Sequence, residues 1–175
     1  MTTRLEGLGA KAIGAAKAAV ATVGGMTGIF RRLTQEHGEV SALLMRVQLT
    51  SSPAVRRDVF PTIRKELLAH ERAEESEVFP VFQQHRDTRA IAEAHAREAG
   101  ELETVIDELT DIAVDDPRWE QTFDRLFKLV QAHVKTEESA YFPAGQHAFG
   151  ERTEEMLARF EVIRAQIMQD LNATP

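Results

Sequence analysis

The chain has 175 residues, of which 43% are apolar and 28% charged, with a net charge of −7 and no cysteine. That length supports one domain with a real core. The acidic balance argues against a nucleic-acid partner, and the missing thiols exclude disulfides, thiolate metal sites and cysteine nucleophiles while fitting a cytoplasmic location.

The first segment, Leu5 to Gly25, is rich in Ala, Gly and Val. Lys11 and Lys17 interrupt it and no apolar run reaches membrane-spanning length, so no membrane partner is expected. Leu5, Leu8, Ile13, Ala16, Val20 and Val23 recur at helical spacing. They predict a small-residue helix or tail over residues 1–25 that packs on the main body or joins two chains as a homodimer. Gly24 and Gly25 punctuate the chain after it.

From Gly28 onward the pattern is helical. Phe30, Leu33, His37, Val40, Leu44 and Val47 form the first seam, ended by Thr50-Ser51-Ser52-Pro53. Phe60, Ile63, Leu67, His70, Glu74, Val78 and Val81 form the second. The third is Ile91, His95, Glu98, Leu102, Val105, Leu109 and Ile112, ended by Asp115-Asp116-Pro117. Trp119, Phe123, Leu126, Val130, His133 and Glu137 form the fourth. A further helix, about Glu151 to Leu171, packs outside these four. No strand pattern competes. The expected fold is all-α: an antiparallel up-down four-helix bundle over 26–145, with an N-terminal helix (1–25) and a C-terminal helix (146–175) added to it.

The seams are interrupted by ionisable residues. Ala69-His70 is followed by Glu74-Glu75-Ser76 and Phe79-Pro80. Ala132-His133 is followed, at the same offsets, by Glu137-Glu138-Ser139 and Phe142-Pro143. A His and a Glu four apart share one face of a helix. A histidine falls on every seam and an acidic residue on three of them, a costly arrangement for a core unless the groups are paired. A metal offsets that cost by coordinating them directly. Imidazole plus carboxylate without sulfur suits Fe, Mn or Zn. His37 and His70 are expected to serve one ion and His95 and His133 the other, with Glu74 and Glu137 as symmetric bridges. A solvent-derived oxo or hydroxo bridge then gives five ligands per ion and leaves a sixth position.

The order His37, His70-x-x-x-Glu74, His95, His133-x-x-x-Glu137, with Phe-Pro after each paired motif, resembles the hemerythrin-like, or HHE cation-binding, domain. The resemblance covers about Phe30 to Phe142. It implies a non-haem di-iron centre held by those six residues. Oxygen-carrying hemerythrins have a second His four residues after the helix-three His; here that position is Ala99. Either of two carboxylates replaces it. Glu71 resembles the extra ligand of the iron-sensing hemerythrin-like domain of an F-box protein, with a solvated helix face as the alternative. Glu98 lies on the third seam, as a ligand, as a partner of surface charges or as a hydrogen-bond partner of His95. Tyr141, one turn beyond Glu137, closes the site or packs in the core. His85 and His147 fall off the seams and are expected at the surface. Two functions fit: binding or sensing of O₂, NO, peroxide or iron, and dismutation of peroxide by a catalase-like di-iron enzyme, with Glu71, Glu98 or Tyr141 as proton shuttle.

Overall fold

The computed structural model describes residues 2–173, with side chains from Gly9 onward, and the described residues are helical with no strand. The helices are α1 (Thr2–Val23), α2 (Gly28–Gln48), α3 (Pro53–Glu77), α4 (Phe79–Gln84), α5 (Arg89–Thr110), α6 (Pro117–Thr136), α7 (Phe142–Phe149) and α8 (Arg152–Ala173). A π-helical turn, Glu137–Tyr141, joins α6 to α7. Proline opens α3 and α6, where its missing N–H costs nothing. The Asp116 carboxylate caps α6 by accepting from the Arg118 amide. Among the described residues no helix is long and apolar enough to cross a membrane.

Helices α2, α3, α5 and α6 form a closed ring: α2 packs on α3 and α6, and α5 packs on the same two. Two apolar clusters fill it. One is built from Leu44, Ile63, Leu102, Val105, Leu126 and their neighbours. The other is built from Ile29, Phe30, Phe79, Phe82, Phe142 and Phe160. On α2 and α5 the predicted site residues fall in sequence between the residues given to the two clusters, and on α3 and α6 they fall at the junction, with Ala73 of the second cluster just before Glu74 and Val134 of the first just after His133. The polar layer is thus sandwiched between apolar ones. The C-terminal helix α8 lies against α3 and α2, outside the ring.

Prolines break two of the predicted seams differently from expectation. The second does not run on to Val81: α3 stops at Glu77 and α4 begins at Phe79, because Pro80 cannot donate to the Ser76 carbonyl. The fourth continues past Glu137, but in π register, with the Phe142 amide bonded to the Glu137 carbonyl.

The N-terminal helix packs on α2 through a face other than the one its apolar spacing suggested. Ala10, Gly14 and Ala18 are buried, whereas Ile13, Val20 and Val23 are 49%, 73% and 91% exposed; the Leu5 and Leu8 side chains lie outside the described residues. The reason is close approach. A Cβ on Gly38 would lie 2.7 Å from the Gly14 Cα, so the two backbones cross where neither residue has a side chain. Bulky side chains cannot occupy that line and are turned outward.

Candidate metal centre

Helical spacing sets the local geometry. His70, Glu71 and Glu74 come from α3, His37 from α2, His95 from α5 and His133 from α6, while Glu137 is the first residue of the π turn. All seven are buried. The His37 and His70 rings are 5.0 Å apart and the His95 and His133 rings 5.2 Å apart, so the histidines fall into the two expected pairs.

The carboxylates differ in reach. Glu74 Oε2 lies 3.3 Å from His70 Nε2 and 3.6 Å from His95 Nε2. Glu137 Oε2 lies 3.1 Å from His37 Nε2 and 3.5 Å from His133 Nε2, and its Oε1 is 3.4 Å from His95 Nε2. Each therefore touches both pairs. Glu71 touches one pair only, with Oε1 3.3 Å from His133 Nε2 and Oε2 3.6 Å from His95 Nε2. Two groups result whose ligand atoms lie within 4.8 Å of one another: Glu71, Glu74, His95 and His133, and His37, His70 and Glu137.

Three histidines are oriented from behind by carboxylates. His37 Nδ1 donates to Glu138 at 2.9 Å, His70 Nδ1 to Glu36 at 2.8 Å and His133 Nδ1 to Glu98 at 3.0 Å. An ionised carboxylate only accepts, so Nδ1 must carry the proton and the Nε2 lone pair is left to face inward. This is the arrangement in which outer carboxylates fix metal-binding imidazoles. His95 has no such partner and is stacked instead on Phe79, ring centroids 3.5 Å apart. Glu36 is itself anchored: its Oε1 is 2.7 Å from both an Arg32 nitrogen of α2 and Arg164 Nε of α8.

The inward atoms test whether a metal fits. Nε2 of all four histidines, both oxygens of Glu74 and Glu137, and Oε2 of Glu71 are buried without a hydrogen bond. Each such group costs about 1–3 kcal/mol. Together they cost on the order of 10 kcal/mol, comparable to the whole stability of a domain. Cations at the centre of the cluster remove that cost. All of these donors are nitrogen or oxygen, and the set suits Fe, Mn or Zn.

Without a metal, protons serve as the cations. Burial pushes His70 down, but the Glu74 charge and the Glu36 hydrogen bond outweigh it and raise it to about 9. Burial likewise opposes protonation of His95, yet Glu137 and Glu74 lift it to about 10. His133 is pushed up to about 12, burial being outweighed by the charges of Glu137 and Glu71. Burial would raise Glu36, but His70, Arg164 and Arg32 hold it down at about 2. Burial and the Glu137 charge raise Glu74.

Of the two carboxylates proposed for the position vacated at Ala99, Glu71 lies in the cluster and Glu98 behind it. Glu98 accepts from His133 Nδ1 and from the Tyr141 hydroxyl, each at 3.0 Å, so both its oxygens are engaged. Its histidine partner is His133, not His95 as the seam suggested, because α6 lies beside α5 and presents His133 Nδ1 to that face. Tyr141 is buried but bonds to Glu98 rather than to the cluster. His147 is exposed and His85 half-buried, its ring edge against Phe149. The sequence reading missed Glu36 and Glu138. Each adjoins a predicted ligand in the chain (His37 and Glu137), which was the available signal, but neither lies on a seam.

The sequence profile of the family described as hemerythrin HHE cation binding domain matches residues 28–145. A protein of Nostoc sp. named "DNA nickase" is 27% identical over 143 residues, covering 79% of this chain and 40% of its own length. This chain therefore spans well under half of that relative. No solved structure gives a significant match.

Proposed function

The chain belongs to the hemerythrin HHE cation-binding family, and from that premise we propose that it is a non-haem di-iron protein that binds or senses a small molecule, O₂, NO or peroxide, at a carboxylate-bridged site. The observation that carries this reading is the set of inward-facing histidine and carboxylate atoms that lack hydrogen bonds. Two groups of ligand atoms favour two ions over one. Charge agrees. Glu71, Glu74 and Glu137 bring −3; one divalent ion leaves −1, whereas two leave +1, which a bridging hydroxide cancels. Glu74 and Glu137, which touch both histidine pairs, suit the bridges, and Glu71 suits a terminal ligand beside His95 and His133. When bound, such ions supply redox and Lewis-acid chemistry. The protein's part is to hold the imidazoles through Glu36, Glu98 and Glu138 and to exclude water with the flanking apolar clusters.

The alternating placement of the apolar clusters along α2, α3, α5 and α6 supports an antiparallel up-down bundle. The Phe30 cluster takes its residues from the N-terminal ends of α2 and α5, and from the C-terminal side of α3 and α6. A DNA substrate, as the relative's name implies for that protein, would meet a net charge of −7 here, which repels phosphate. We therefore keep the small-molecule reading. Metal analysis and an optical spectrum of the protein as isolated test it. About two irons per chain with near-ultraviolet and visible absorption are expected; a folded protein without metal after iron-replete expression would overturn it.

Peroxide dismutation is the second reading, favoured by one observation. Glu98, whose side chain is 37% exposed, links His133 to the Tyr141 hydroxyl, a hydrogen-bonded route for protons between the cluster and the surface. Evolution of one O₂ per two peroxides consumed, lost in Glu98→Gln compared at equal iron content, is the expected signature of that activity.

A further inference from the structure

A cavity of about 160 Å³ enters the ring between α2, α3 and α6 and reaches the His37 and His70 side of the cluster. His37, His70 and His133 border its inner end, and Val40, Leu67 and Val130 line it. Two elements outside the family-matched segment complete it: α1 contributes Ala10 and Lys11, and α8 contributes Arg164. Its size decides what it can hold. A cavity of about 150 Å³ with an apolar lining accommodates a benzene-sized molecule, whereas one water needs only about a tenth of that. O₂, NO or hydrogen peroxide would leave most of the space unfilled. The charged side chains that border it are mixed in sign but acidic on balance, with Lys11, Arg46 and Arg164 among Glu36, Glu39, Asp58, Glu66 and Glu71. Such a border repels an anion, including a deprotonated peroxide or carboxylate, whereas a neutral molecule enters without that penalty.

We propose that this cavity is a binding subsite for a short, branched, neutral organic hydroperoxide of about six non-hydrogen atoms. The oxygen end lies toward the histidines and the alkyl body against Val40, Leu67 and Val130. The inference rests on the small-molecule reading of the metal centre and narrows its ligand class. Selectivity comes from the alkyl group: each methyl taken from water into an apolar wall strengthens binding, while the oxygen end is common to all peroxides.

tert-Butanol, a redox-inert stand-in with the same alkyl body, is titrated calorimetrically into the full-length protein as isolated, with methanol as the contrast. Iron content is measured on the same samples. Saturable binding of tert-butanol, at least about tenfold tighter than methanol, is expected. Val40→Phe, which fills the cavity from α2, should weaken it by about tenfold or more. Leu43→Phe tests the same wall from a half-buried position, so a folding defect in the first variant leaves the second to decide. Iron-loaded protein that binds tert-butanol no better than methanol, or equally well in wild type and a folded Leu43→Phe, overturns the subsite and leaves the metal reading intact. Saturable binding by a folded protein that carries no iron after iron-replete expression removes the metal reading, and with it the peroxide assignment, while keeping the cavity as an alkyl-binding site.

Discussion

The two copies of the Ala-His…Glu-Glu-Ser…Phe-Pro motif read alike and fold differently. Each contains a proline that cannot donate to the carbonyl four residues back. In the first copy the helix ends, with the Val78 amide bonded to Glu74, and a new helix starts at Phe79. In the second the ladder slips by one residue into the π turn Glu137–Tyr141 and the chain continues as α7. The consequence falls on the second Glu of each pair. Glu75 is exposed, whereas Glu138 bonds to His37 Nδ1 at 2.9 Å and to Lys17 Nζ at 2.6 Å. A second asymmetry lies just after each histidine, where Glu71 enters the cluster while its counterpart is Val134, packed in the apolar core. Identical local sequence therefore fixes the histidine and the first glutamate of each copy, a sequence difference sets Glu71 against Val134, and the neighbouring helices decide what the second glutamate meets. π turns of this kind recur at functional sites for the same reason: one extra residue in the turn re-aims a side chain.

The largest effect is expected where the copies agree. Glu74→Ala and Glu137→Ala should each abolish binding of both ions, because each carboxylate touches both histidine pairs. Metal analysis that fell from two ions to one would mean independent sites. Next is the response to pH, which should run in opposite directions with and without metal. In the metal-free chain, His70 has its pKa raised to about 9 from an ordinary value of 6.5. A group raised by folding stabilises fully below its unfolded pKa and loses that contribution as pH rises through the folded one. The melting temperature of chelated protein should therefore fall between about pH 6.5 and 9. With metal bound, protons compete for the same imidazoles, so the loaded protein should release its metal below roughly pH 5. Matching slopes for the two forms would contradict a histidine-rich metal site.

Glu71→Val makes the first copy resemble the second at this position. It should leave two ions bound but open a coordination position, seen as tighter azide binding and a changed visible spectrum. Glu98→Gln should not open that position; it should instead weaken metal retention by about 10- to 100-fold through misorientation of His133. Smaller still is Lys17→Met, which frees Glu138 from α1 and should lower metal affinity by a few-fold on the order of an ion-pair contribution, with Glu75→Gln, the corresponding site in the first copy, silent. His85→Ala and His147→Ala should leave metal content unchanged.

Much of the molecule was legible in the chain itself. A period of 3.6 residues dictates which side chains share a face, so the ring helices, the four histidines and the paired glutamates follow from spacing alone, while the absence of cysteine leaves nitrogen and oxygen as the donors. Glu71 was legible only by resemblance, because its position beside His70 is off the seam. The outer partners needed the tertiary structure. Glu36 and Glu138 reach histidines on other helices or across the π slip, and nothing in their local spacing reports which helix stands opposite. The N-terminal helix shows the same limit: its bulkier apolar residues marked one face, but contact with α2 is made by Ala10, Gly14 and Ala18. Sequence periodicity records which residues avoid water, whereas the distance between two backbones, and with it the choice of packing face, the π turn's new aim and the cavity walled by α1 and α8, exists only once the helices are assembled.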